Sequence, residues 1–169
     1  MSLSGSTFCF LLSAFCFLLS AFCFLHCNLR KLRNLWISGN HVRHAVAPSL
    51  PENYVKVIDG SPIGPKHGSC ETAMYRGKPV IASDISTDPL WEEYRNFAWA
   101  IGVAACWSTP IMSSKGKVLG SFAMYYREPR TPNGDERHLT DVATRLAALA
   151  IQHRASRGQP ASVKTTARK

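Results

Sequence analysis

The chain has 169 residues, a formal charge of +9 and an apolar fraction of 46%, which fits one folded domain with tails and without an output domain of its own. Four of its six cysteines (Cys9, Cys16, Cys23, Cys27) lie in the first 28 residues, leaving Cys70 and Cys106 elsewhere, with no CxxC and no zinc-like Cys/His spacing. This excludes a disulfide scaffold and a zinc module, and suits a reducing compartment.

Residues 1–29 contain no Lys, Arg, Asp or Glu, and FCFLLSA occurs twice in succession from Phe8 to Ala21. Phe8 to Leu25 is 18 residues long, interrupted only by Ser13 and Ser20, at the lower limit for a membrane-spanning helix. Arg30, Lys31 and Arg33 follow it, so insertion would leave the remainder cytoplasmic and membrane-anchored. The other reading is a tandem duplication or a misassigned reading-frame start. In either case residues 1–28 are expected to make no specific contact with the domain. The domain itself is expected to be cytoplasmic.

LRKLRNL (29–35) places leucines three apart, a helical spacing. HVRHAVA (41–47) reads as a strand after Gly39-Asn40, and a short helix begins at Pro51. The Gly/Pro-rich SPIGPKHGS is loop. Cys70 to Tyr75 is a helical turn ended by Gly77, and KPVIASDI is a strand. DPLWEEYRNFAWAIG reads as one helix from Asp88-Pro89 to Gly102. ACWSTPIMS and VLGSFAMYYRE, separated by SKGK, form a hairpin. The last helix opens with a capping box, Asn133 and Glu136. Its apolar face is expected to be Leu139, Val142, Leu146, Leu149 and Ala150, with Leu146 and Leu149 buried against the sheet or a partner helix. The basic tail 156–169 has no periodicity and is expected to be disordered. No aromatic residue is interleaved with its charges, so nucleic acid is not an expected partner. Consecutive strands followed by a helix indicate α+β.

The GSC-x-TA turn, the PV-x-x-SDI strand with DPLW, the CWSTPI strand and VLGSFAMYY before a final helix together resemble the GAF domain family. The likeness is closest to the sensory GAF domains of bacterial histidine kinases and cyclic-di-GMP enzymes, and covers about residues 41–154. It implies a central antiparallel sheet flanked by helices, and a cleft over one sheet face that binds a small molecule. Two departures stand out. The family's first helix and first strand look degenerate here, because LRKLRNL has the wrong period, which places the domain at 30–155 with an unpaired strand edge. Glu71 also stands where the family commonly has Gly.

The resemblance implies a ligand site among Cys70, Thr72, Ser83, Asp84, Trp91, Tyr94, Cys106, Trp107, Ser108, Phe122 and Met124. Trp91 and Tyr94, three apart on a helix, share a face, and aromatics with a few polar groups are the usual lining of a small-molecule site. For each aromatic the competing reading is core packing. Cys70 and Cys106 are read as packing or pocket residues and not as catalytic ones, so the chain is expected not to be an enzyme. The alternatives are a redox-responsive pair, or a thiol-dependent reductase resembling free methionine-(R)-sulfoxide reductase, although that enzyme's cysteine pattern is missing. Neither cysteine has the adjacent His of bilin-linking members, and His67 reads as an exposed loop residue. No metal site is expected and the cofactor is unknown. The expected function is a sensory module in a two-component or cyclic-di-GMP pathway, paired through its last helix with a second copy or a signalling partner. A remnant that binds nothing is the remaining alternative.

Overall fold

The computed structural model describes residues 29–46 and 50–157. The cysteine repeat with its membrane reading, and all but the first two residues of the basic tail, lie outside these. No described helix is long and apolar enough to cross a membrane.

The elements run β1 (Leu29–Ser38), β2 (His41–Val46), α1 (Glu52–Ile58), α2 (Gly68–Arg76), β3 (Val80–Ala82), a 3-10 turn (Pro89–Trp91), α3 (Arg95–Ala100), β4 (Ala105–Met112), β5 (Val118–Tyr126) and α4 (Gly134–Arg157). The five strands form one antiparallel sheet in the order β2-β1-β5-β4-β3. This is the expected α+β class with a central antiparallel sheet.

The first strand is present, against the expectation from its leucine spacing. β1 is an inner strand of the sheet, paired with both β2 and β5. The register shifts between Leu29 and Lys31, so that Leu29 opposes Tyr126 while Leu32 opposes Met124. A bulge adds one residue to a strand and resets its two-residue alternation. For Leu29 and Leu32 the spacing of three therefore acts as a spacing of two, whereas Leu35, opposite Ser121, follows Leu32 in unbroken register and takes the other strand phase. With β1 in place, β5 has a neighbour on each side.

β4 and β5 are buried along almost their whole length, as expected where a sheet is covered on both faces. Alternation along the strand divides them between two cores. Ala105, Trp107 and Ile111 of β4 join Phe122, Met124 and Tyr126 of β5 on the face under α4. Cys106, Ala123 and Tyr125 join Tyr54, Ile58, Cys70, Met74 and Trp91 on the other. The first group forms the rear face below, the second the front face.

The capping box opens α4 as expected. Glu136 N donates to Asn133 Oδ1 and Asn133 N donates to Glu136 Oε2, both at 2.9 Å. Glu136 also accepts from Arg130 Nη2 at 2.9 Å. The Arg130 guanidinium lies 4.6 Å from the Tyr126 ring centroid and 5.4 Å from that of Trp107. Trp107 and Tyr126 pack at 4.2 Å, and Trp107 Nε1 donates to Arg130 O at 3.1 Å. The start of α4 is thus clamped to the rear face.

Of the expected apolar stripe, Leu139 packs against the rear core, but most of the buried side of α4 is made of small residues. Thr140, Ala143, Thr144, Ala147 and Ala148 face the sheet, while Val142, Leu146 and Leu149 are exposed, Leu149 at 64%. Small side chains let the helix axis approach the sheet closely, where leucine would hold it away. The expected single helix over DPLWEEYRNFAWAIG is likewise two pieces, the 3-10 turn and α3. Asp88 caps the first by accepting from Leu90 N at 2.8 Å. Arg95, at the start of the second, donates to Ile85 O at 3.2 Å.

Candidate functional site

The sequence placed its ligand site on both β4 and β5 without regard to face, and the sheet divides those residues. Trp107, Phe122 and Met124 lie on the rear face beneath α4 and belong to that core. They are packing residues, and Trp107 is held there by the Arg130 clamp.

The front face carries a cleft. Tyr54 and Ile58 of α1 form one wall and Trp91 and Tyr94 the other. His67 and the first residues of α2, Gly68 to Glu71, close one end, and Tyr125 of β5 lies at the base. Counted out to its open mouth, the cleft has a volume of about 270 Å³.

The position of α2 follows from local sequence. Gly68 has φ +62, in the left-handed region that suits glycine, and turns the loop into the helix. Gly77, at φ +61, closes it. His67 N donates to Thr72 Oγ1 at 3.3 Å, which ties the loop to the helix. Ser69 then fixes the walls. Its Oγ accepts from Trp91 Nε1 at 2.9 Å and donates to Cys106 O at 3.5 Å, joining the helix, the aromatic wall and β4 through one hydroxyl.

Cys70 is buried with its Sγ 3.7 Å from Tyr125 Oη. Cys106 is fully buried beside it. Burial, then the neighbouring Cys70 thiol, pushes the Cys106 thiol well above its ordinary pKa. Burial also raises the Tyr94 phenol, with Glu71 and Glu93 adding to the effect. Tyr94 Oη lies 3.5 Å from His67 Nδ1 across the cleft. Glu71, the departure from the family pattern, is 6% exposed and lines the cleft.

Of the expected site residues, Cys70, Trp91 and Tyr94 line the cleft. Thr72 is buried just behind it, and Cys106 lies beneath α2. Ser108, on the same strand face as Cys106, is 1% exposed, and its hydroxyl has no hydrogen-bond partner among the described residues. Ser83 and Asp84 are outside the cleft. Asp84 closes a turn by accepting from Ser86 N at 2.8 Å and Ser86 Oγ at 2.6 Å. These bonds, the side-chain one first, lower its pKa.

Tyr54, Ile58 and Tyr125 were missed, and His67 was read as exposed. Tyr125 was recoverable, because it shares the two-residue period of Ala123 rather than that of Phe122 and Met124. Tyr54 and Ile58 occupy the buried side of α1, four apart.

A family model for the GAF domain matches residues 10–152. The chain belongs to the GAF domain family. The match begins inside the cysteine repeat. Over 110 residues the chain is 41% identical to a methyl sulfide methyltransferase-associated sensor of Methanosarcina acetivorans, a match covering 65% of this chain and 11% of that protein. Among solved structures it resembles a GAF/HD domain protein of Geobacter sulfurreducens, with TM-score 0.69 at 17% identity over 88% of this chain and 94% of that one. A domain assigned to a two-component sensor histidine kinase of Sinorhizobium meliloti gives 0.68 at 19%, over 87% and 92%. A type II free methionine-R-sulfoxide reductase of Thermoplasma acidophilum gives 0.63 at 9%, over 79% and 86%. At such identities these structures share the fold with this GAF domain.

Proposed function

We propose that this GAF domain is a non-catalytic sensory module that binds a small molecule in the front cleft. The reading rests on one observation above all: the cleft over the front sheet face is walled by Tyr54, Trp91, Tyr94 and Tyr125 and fixed by the Ser69 bonds. Aromatic walls with a few fixed polar groups are what a small-molecule site requires.

The output runs through the sheet to α4. Tyr125 at the base of the cleft adjoins Tyr126, which packs on Trp107 and Arg130, and Arg130 holds Glu136 at the start of α4. A ligand that displaces Tyr125 therefore acts on the clamp of the output helix. The exposed Val142, Leu146 and Leu149 form an apolar stripe, which suits a second copy or a signalling partner. A two-component or cyclic-di-GMP pathway, served from a cytoplasmic domain, fits the sensor relative and the kinase-derived structure.

The reductase alternative has one feature in its favour, the adjacent Cys70 and Cys106 in the same core. A nucleophilic thiol needs access and a lowered pKa, whereas both of these are buried and Cys106 is shifted upward. Two measurements test the proposal. Native mass spectrometry of the protein isolated from its own cells should show a non-covalent small-molecule adduct. Incubation with free methionine sulfoxide and a thiol reductant should give no turnover above that of a Cys70→Ser variant. Turnover abolished by that substitution would make the protein an enzyme.

A further inference from the structure

We propose that the front cleft takes a single aromatic ring bearing a hydroxyl group, a ligand of the phenol class, with the ring between the aromatic walls and the hydroxyl against His67 and Tyr94 at the rim. This rests on the cleft being a ligand site, as argued above, and adds the chemical class of the ligand.

Rings line the cleft on three sides: Tyr54 on one wall, Trp91 and Tyr94 on the other, and Tyr125 at the base. Their positions are fixed by contacts within the chain. Trp91 Nε1 donates to Ser69 Oγ at 2.9 Å. Tyr125 Oη lies 3.7 Å from Cys70 Sγ, and the Tyr125 and Tyr54 rings meet edge to face, 6.4 Å apart and at 89°. Walls held in this way lose little freedom when a ligand enters. Aromatic faces and edges carry opposite partial charges, so a flat π-system complements them better than a puckered aliphatic ring does. An apolar cavity of about 150 Å³ is enough for benzene. At about 270 Å³ out to its mouth, the cleft has room for one ring and its substituent.

The rim supplies the polar point. Tyr94 Oη and His67 Nδ1 are 3.5 Å apart, longer than the usual hydrogen bond between such groups. Both therefore keep capacity for a ligand atom placed beside them. Burial raises the pKa of the Tyr94 phenol, so its hydroxyl keeps its proton and can donate. The imidazole nitrogen donates or accepts according to its tautomer. A ligand hydroxyl, which both donates and accepts, suits either form, whereas a pure donor or a pure acceptor suits one. Gly64 sets the place of the His67 ring. A Cβ at that position would come within 2.5 Å of His67 Cδ2 and 3.0 Å of Nε2, so a side chain there would push the ring out of its seat. The His67 backbone is tied in turn to α2 through Thr72 Oγ1, at 3.3 Å.

The test uses the full chain labelled with 15N and follows the Trp91 indole N–H. Phenol is compared with toluene, which keeps the ring and lacks the hydroxyl, and with cyclohexanol, which keeps the hydroxyl and lacks the π-system. Phenol should shift the Trp91 signal saturably, about fivefold more tightly than toluene and about tenfold more tightly than cyclohexanol. Tyr94→Phe, at a half-buried position, keeps the wall and removes the hydroxyl. It should weaken phenol about fivefold, the worth of one neutral hydrogen bond, and leave toluene unchanged. His67→Ala should likewise weaken phenol more than toluene. The proposal is overturned if cyclohexanol or toluene binds as tightly as phenol, or if both variants bind phenol as the parent does, and in those cases the cleft remains a ligand site for another class. It is also overturned if no probe moves the signal. The native mass-spectrometric adduct judges the ligand-site reading independently of all these outcomes.

Discussion

Cys106 illustrates how burial decides what a side chain does. Its thiol is enclosed beneath α2, and burial, followed by the Cys70 thiol beside it, raises its pKa. Raising the folded-state pKa favours the protonated form in the fold. The resulting stability is complete below the unfolded thiol pKa and is lost as pH rises through and beyond about 9. Unfolding measured from pH 7 to 10.5 should therefore show a steeper fall in the parent than in Cys106→Ala, and parallel curves would contradict the assignment. The same enclosure predicts that iodoacetamide at pH 8 labels Cys70 and Cys106 far more slowly in the folded chain than in urea. Mass spectrometry of the two peptides checks this.

Single residues also show how much of the site was legible. Cys70, Trp91 and Tyr94 were found from their motif and their helical spacing. Trp107, Phe122 and Met124 were placed with Cys106 and Ser108, although neighbours on a strand point to opposite faces. The error was one of period and not of residue type. Glu71 was noticed only as a departure from the pattern, because the burial of a carboxylate depends on elements distant in sequence.

At the scale of elements, α4 shows why the strongest apolar periodicity can mark the wrong face. Its Leu146 and Leu149 are exposed, and its sheet contacts are made mainly by Ala143, Ala147 and Ala148 with Thr140 and Thr144, beside the half-buried Leu139 and Ile151. The alanines and threonines also recur at helical spacing, but hydrophobicity ranks them below leucine. In a monomeric preparation, Leu149→Ala should change stability by less than about 0.5 kcal/mol, the usual range for an exposed position. Ala147→Leu should cost about 1–3 kcal/mol by overpacking the interface with the sheet. Urea unfolding of the two variants separates these outcomes, and the reverse order would return the leucines to the core. Glu136 combines the capping box with the Arg130 ion pair, so Glu136→Ala should cost about 2–3 kcal/mol. The same unfolding assay measures it.

β1 was hidden for a different reason. Its bulge makes the three-residue step from Leu29 to Leu32 act as a two-residue one, and only pairing with β5 reveals the register. The hairpin, the capping box and the Gly77 stop were readable because each depends on residues within a few positions. The break between the Pro89–Trp91 turn and α3 was not. There Trp91 is bonded to Ser69 and Tyr94 reaches His67, both on or beside α2, contacts that no local pattern records.

The whole molecule is a sheet with two different faces. The front holds the aromatic cleft, the rear holds α4, and β4 and β5 contribute alternate residues to each. A sensor needs both faces to share strands, so that occupancy on one side is felt on the other. The central claim, that a small molecule occupies the front cleft, can be tested with Trp91 and Trp107, both buried. Trp91 Nε1 is bonded to Ser69 in the cleft and Trp107 Nε1 to Arg130 O on the rear face. The measurement is the 1H–15N spectrum of the protein as isolated from its own cells, compared with the same protein stripped by unfolding and refolding. The account predicts the largest differences at the Trp91 indole and the Ser69, Cys70 and Tyr125 amides, with a smaller change at Trp107. Identical spectra, or differences centred on Trp107 with Trp91 unmoved, would contradict it.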